Sequence, residues 1–163
     1  NPFNSPDEKA KWQDMYTSCP LGSKVRLLDR VETQDEVYNI MSNTTCGVFP
    51  ARAEGWNLEL LEMMACNKPV ITTNYSAHTE FCTKDNSFLV PIDEEEMAYD
   101  GKWFNGEVGK WAKLGSRQIS KISEHMKFVH KHNITTNPQG VETATKYSWR
   151  NSAETIREAL QDV

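Results

Sequence analysis

The sequence predicts an α/β fold, a Rossmann-like parallel sheet with helices on both faces, in one domain spanning residues 1–163. Three observations carry this. Short apolar, β-branched runs recur ("KVRLL", "CGVFP", "VITT", "FLVP"), helical patterns separate them, and the connections are long enough for right-handed parallel crossovers.

Taken in order, "SPDEKAKWQDMY" opens a helix in which Ser5 caps, Pro6 takes the first helical position and Glu8 closes a capping box. After a Pro20/Gly22 break, "KVRLL" reads as a first strand, and Thr33 with Glu36 frames a second capping box before "EVYNIM". "CGVFP" is the next strand. A helix starting near Asn57 or Leu58 follows, with Leu58, Leu61, Met64 and Ala65 at helical spacing. Asn67 in a left-handed conformation and Pro69 end it before "VITT". A short helix around Thr79–Cys82 leads to "FLVP". Residues 93–111 are polar and glycine-containing, with Trp103, Phe104 and Trp111 scattered through them, and carry no readable period. Ile119, Ile122, Met126 and Val129 then mark one face of a helix, and Trp149, Ala153, Ile156 and Leu160 mark a closing helix able to dock on the domain.

A net charge of −5 without a basic run argues against nucleic acid as a partner. No apolar stretch approaches the roughly 18 residues of a membrane span, and residues 1–12 lack the parts of a signal peptide, so a cytoplasmic location is expected, with peripheral membrane attachment open to a longer protein. Four widely spaced cysteines, Cys19, Cys46, Cys66 and Cys82, indicate buried free thiols rather than a zinc knuckle or disulfide framework. The N-x-[ST] triplets at Asn43, Asn74 and Asn133 are no more than this composition gives by chance.

The chemistry concentrates in "ARAEGWNLELLEMMACNKPVITTN", residues 51–74. In an open parallel sheet, ligands sit beyond the carboxyl ends of the strands, where helix N-termini present unpaired N–H groups to anions such as a diphosphate. Glu62 lies more than a turn inside the helix, beyond capping, in the apolar neighbourhood of Leu61, Met63 and Met64. A carboxylate there can accept two ribose hydroxyls; the plainer alternative is a solvent-facing helical Glu. Glu54, in the loop, can bind sugar hydroxyls or counter a developing positive charge, and Arg52 can pair with Glu54 or with a phosphate.

These residues resemble the signature of retaining GT-B glycosyltransferases of the group-one family: a Glu, seven residues, a second Glu, a small-residue helix end and "PV". "LLDRVETQDEVYNIMSNTTCGVFP" before it, Glu80 after it and the closing "YSWRNSAETI" are similar to that family as well. The resemblance implies the donor-binding, C-terminal half of a GT-B fold, lacking its first strand-helix unit, and a donor such as a UDP-, GDP- or ADP-hexose. It implies Glu62 on the donor ribose, Glu54 as the catalytic carboxylate against sugar and diphosphate, and backbone at Gly55, Asn57 and Leu58 near the phosphates. Val31 would face the base, with Arg52 as a further donor contact. No metal or other cofactor is expected, and the acceptor is unspecified.

The chain departs from the family pattern in three places. Asn57 stands where Gly is usual, Glu59 adds a carboxylate near the diphosphate, and "NYSAHT" replaces a glycine-rich loop, so that His78 either contacts the sugar or serves structure. The family's Gly-Arg turn and Lys would precede Asn1, as would its acceptor-binding domain, so little or no turnover is expected from these residues alone. The alternative, from another functional class, is a non-catalytic α/β module that binds a nucleotide or a protein partner. Aromatic residues between 99 and 111 favour it if exposed; packing on the sheet edge is their other expectation.

Overall fold

A computed structural model describes residues 6–161. They group into two compact units that meet between Glu36 and Val37.

In the first unit, helix α1 runs from Pro6 to Thr17. Its expected cap, Ser5, lies outside the described residues, as does the side chain of Glu8. A 3-10 turn, Gly22–Lys24, follows. "KVRLL" does not form the expected strand. A strand is stable only beside another, no strand among the described residues pairs with it, and Leu27 and Leu28 instead line a groove with Trp12 and Tyr16 of α1. The capping box forms as expected: the Thr33 N–H donates to Glu36 Oε2 at 3.0 Å, and the Glu36 N–H donates to Thr33 Oγ1 at 3.3 Å. It opens helix α2, Gln34–Ser42, which contains the boundary between the units.

The second unit holds a parallel sheet in the order β1 (Gly47–Phe49), β2 (Val70–Asn74), β3 (Phe88–Pro91). Gly47 pairs with Val70, and Ile71 with Phe88. The connections are α3 (Leu58–Ala65) and the short α4 (His78–Phe81). Val70, Ile71, Thr72 and Thr73 are all buried. Since successive strand residues point to opposite faces, both faces of β2 are covered. The core joins Leu60, Leu61, Met63 and Met64 of α3 to Val70, Phe81 and Cys82. Leu58, expected in that stripe, is 50 % exposed, because the helix turns the 60/61/63/64 face inward and leaves Leu58, Glu62 and Ala65 outside.

Residues 93–111, unassigned from sequence, carry all but the last residue of an antiparallel hairpin of β4 (Glu95–Tyr99) and β5 (Asn105–Ala112). Asp100 shapes its turn by accepting the N–H groups of Lys102, Trp103 and Phe104 at 2.8–2.9 Å. Both strands are largely solvent-facing and Gly106 and Gly109 take positive φ, so the apolar alternation that signals a strand is missing.

Helix α5 (Ser116–Lys131) forms where expected but buries a different stripe. Gln118, Ile122, His125 and Val129 face the protein, while Ile119 and Met126 are exposed. The Gln118 amide donates to Pro91 O, and Phe88 packs on His125 and Phe128. Helix α6 (Pro138–Lys146) was not expected and packs on α3. Helix α7 (Trp149–Gln161) forms but does not dock; Trp149 is 83 % exposed, and Ile156 and Leu160 also face outward. Amphipathic spacing fixes which side chains share a face, and only a partner decides whether that face is covered. Cys82 is buried and Cys46 and Cys66 are half-buried, all free, whereas Cys19 is exposed, contrary to expectation. No helix among the described residues is long and apolar enough to cross a membrane.

Candidate functional site

Two loops leave the carboxyl ends of adjacent parallel strands: residues 50–57 after β1 and 75–77 after β2. Their sequences lock them together. Ser76, itself in a left-handed conformation, accepts the Glu54 N–H at 2.9 Å and donates its hydroxyl to Glu54 O at 2.6 Å. Asn57 Nδ2 lies 2.9 Å from His78 Nε2. Trp56 anchors the first loop from behind, packing on Phe81 and Tyr147 with ring centroids 5.2 Å apart in each case.

Asn57 caps α3 from a left-handed backbone, φ 72°, its side-chain oxygen accepting the Leu60 N–H at 3.1 Å. A helix leaves its first N–H groups without internal acceptors, so with Leu60 satisfied those of Leu58 and Glu59 remain for an outside acceptor. Glu62 lies one turn on, half-buried, on the outward stripe with Leu58. Helical Cα–Cβ bonds lean toward the N-terminus, which tilts Glu62 toward the helix start. Its carboxylate has no hydrogen-bond or ion-pair partner among the described residues, though its charge, after burial, helps hold the Cys66 thiol above the ordinary range. Glu54 and Gly55 are exposed, and a side chain added at Gly55 would meet open space.

Arg52 is occupied elsewhere. Its guanidinium pairs with Glu96, not Glu54, donates Nε–H to Ala112 O at 3.2 Å, and stacks 3.8 Å from the Trp111 ring centroid. Its own carbonyl accepts the Ala112 N–H at 2.8 Å, so one residue clamps the hairpin to the site loop. Arg52→Lys keeps the charge but cannot reproduce the planar fork. It is expected to weaken the attachment by roughly 1 kcal/mol, measured as faster amide exchange across β4 and β5 while β2 is unaffected.

Val31 belongs to the first unit, half-buried in irregular chain before α2. His78 is 1 % exposed, so it does not reach a ligand directly. Burial depresses its pKa below the ordinary histidine value, against the opposing pull of the Thr73 carbonyl and of Glu54. The Ser76–Glu54, Trp56–Phe81 and His78–Asn57 contacts went unrecognised in the sequence, since each joins residues more than twenty positions apart along the chain.

Residues 4–100 match the family described as glycosyl transferases group 1. The chain belongs to that family. This glycosyl transferase chain is also similar to a protein named sucrose synthase from Melioribacter roseus, 27 % identical over 124 residues, which covers 68 % of this chain and 15 % of the relative. It therefore spans a small part of that relative's length. The family match takes in the two glutamates, the capped start of α3 and the His78 loop, so the geometry above belongs to a glycosyl transferase group 1 domain of α/β fold.

Proposed function

We propose that this chain is the donor-binding, C-terminal domain of a retaining glycosyltransferase that moves a hexose from a nucleoside diphosphate to an acceptor. The carrying observation is Glu62, a carboxylate without a hydrogen-bond or ion-pair partner among the described residues, on the outward stripe of α3 and one turn from the N–H groups that open the helix, within a matched group 1 glycosyl transferase segment. Glu62 accepts the two ribose hydroxyls of the donor. The N–H groups of Leu58 and Glu59 take the diphosphate, with Asn57 and Gly55 shaping the approach.

Transfer breaks the bond from the anomeric carbon to the diphosphate oxygen. The electron pair leaves with the diphosphate, where helix N–H groups stabilise it, and positive charge builds on the sugar, where the exposed Glu54 lies opposite. Arg52, tied to Glu96, holds the loop rather than adding a free cation to the phosphates. No metal is needed for this division of charge, and the acceptor-side groups come from another domain, so turnover by these residues alone is not expected. The proposed compartment is the cytoplasm.

The test is thermal melting of the 163-residue chain with a panel of UDP, GDP and ADP hexoses. A ligand at 100 times its dissociation constant adds about 2.7 kcal/mol, which raises the melting temperature of a domain this size by roughly 5–10 °C. A flat response to every donor defeats the reading. It would favour a second one, a protein-binding module, which rests on the hairpin's exposed aromatics Tyr99 and Trp103.

A further inference from the structure

The hydrogens around His78 can be placed by elimination. Thr73 O, 3.0 Å from Nδ1, is an acceptor only, so Nδ1 must carry a proton. Thr72 Oγ1 and Thr73 Oγ1 lie 2.9 and 3.4 Å from the same nitrogen. Each hydroxyl has another acceptor for its proton, Phe49 O at 3.3 Å and Ala51 O at 2.7 Å, which leaves both oxygens able to accept from Nδ1–H. A neutral ring then leaves Nε2 as a bare acceptor, and its partner at 2.9 Å is the Asn57 amide. That fixes Asn57 with its NH2 toward His78 and its oxygen toward the Leu60 N–H, which is the capping orientation.

We propose that His78 is the positioning residue of the donor site: its unprotonated Nε2 holds the Asn57 amide in the one orientation that caps α3 and keeps the helix start open to a diphosphate. The inference deepens the donor-site reading and rests on it for the ligand. Asn57 needs holding, because a residue with a side chain pays a conformational penalty at φ 72° that two side-chain hydrogen bonds offset. Protonation of His78 sets Nε2–H against NH2, donor against donor. Rotating the amide restores that bond but turns NH2 toward the Leu60 N–H and uncaps the helix.

The groups that face the ring are Thr72 and Thr73 from β2, Asn57 from the α3 cap, Phe81 from α4 and, from the loop after β1, Glu54, the charged group whose field reaches it. Glu54 favours the imidazolium, and burial outweighs it. The folded pKa is depressed, so the unfolded chain binds the proton more readily. The latch is complete above the ordinary histidine value of about 6.5 and is lost as pH falls through the lowered folded value.

The test begins without ligand, by 15N NMR of the 163-residue chain from pH 8 to 5. The expected result is an Nδ1–H tautomer at pH 8. Protection of the Leu60 amide, corrected for intrinsic exchange, then falls roughly fivefold as His78 takes up its second proton. An Nε2–H tautomer, or Leu60 protection indifferent to the charge on His78, overturns the proposal. At fixed pH 8, UDP, GDP and ADP binding is then compared in His78→Phe, His78→Gln and Asn57→Gly. His78→Phe should weaken binding roughly fivefold, His78→Gln should recover part through its side-chain oxygen, and His78→Phe should add nothing in an Asn57→Gly background. Equal losses in both backgrounds would reduce His78 to a packing residue and overturn its role. Should none of the three nucleotides bind while the NMR signature holds, the donor reading falls and the His78 latch on α3 stands.

Discussion

Glu62→Ala is expected to abolish the rise in melting temperature that the cognate nucleotide sugar gives the unmodified chain. Two hydrogen bonds to a charged acceptor contribute about 1.5–3 kcal/mol each, so losing both weakens binding by a factor of about 100 or more. A ligand supplied at 100 times the original dissociation constant then stands near the new one. Its stabilisation drops from about 2.7 to about 0.4 kcal/mol, within the noise of most melts. The substitution leaves the fold nearly untouched, because the Glu62 carboxylate has no hydrogen bond or ion pair to lose among the described residues and Ala suits a helix. The ligand-free melting point should therefore move by less than about 0.5 kcal/mol in free-energy terms. Glu62→Gln, which keeps one acceptor oxygen without the charge, should fall between. Equal donor shifts in Glu62→Ala and the parent chain would show that the ribose is held elsewhere.

Asn137→Ala is expected to destabilise the second unit by about 3 kcal/mol, read as a lower urea midpoint at unchanged slope. Asn137 is 7 % exposed and fully used. Its oxygen caps α6 at Gly140 N, 3.0 Å away, and its NH2 donates to Lys68 O at 3.2 Å and Asn86 O at 2.9 Å. Its own N–H donates to Asn67 Oδ1 at 2.7 Å, joining α6 to the left-handed residue that ends α3. Alanine removes the cap and leaves the Lys68 and Asn86 carbonyls without their donor. Asn137→Asp keeps the cap but turns a carboxylate oxygen toward those carbonyls, so it should be no better. A loss below about 1 kcal/mol for both would mean that water replaces the amide freely.

Much of the fold was legible because it is written in local chemistry. Thr33 and Glu36 close their box within four residues, Asn67 and Pro69 stop α3 where they stand, and three of the four expected strands form in parallel order. The fourth, "KVRLL", shows the limit: β propensity describes a residue's fitness for a ladder, and the ladder must be supplied by another strand. The same limit hid the hairpin. Glu95–Tyr99 and Asn105–Ala112 pair only with each other and are clamped by Arg52, whose partners Glu96, Trp111 and Ala112 lie 44 to 60 residues away. Around the site, the helix start near Asn57 or Leu58 was readable from the sequence, whereas the cap that Asn57 supplies and the contacts of Ser76 and His78 arise only when the loops after β1 and β2 are brought side by side.

By itself, then, the sequence determined the order of helices and strands around the site, the family signature, and where α3 ends, since each depends on neighbours a few positions apart. Tertiary structure alone decided which stripe of α3 and α5 is buried, where Arg52 spends its charge, and which nitrogen of His78 is left bare. Those outcomes depend on groups brought together from distant positions, where burial makes an unpaired donor or charge costly and so selects one arrangement.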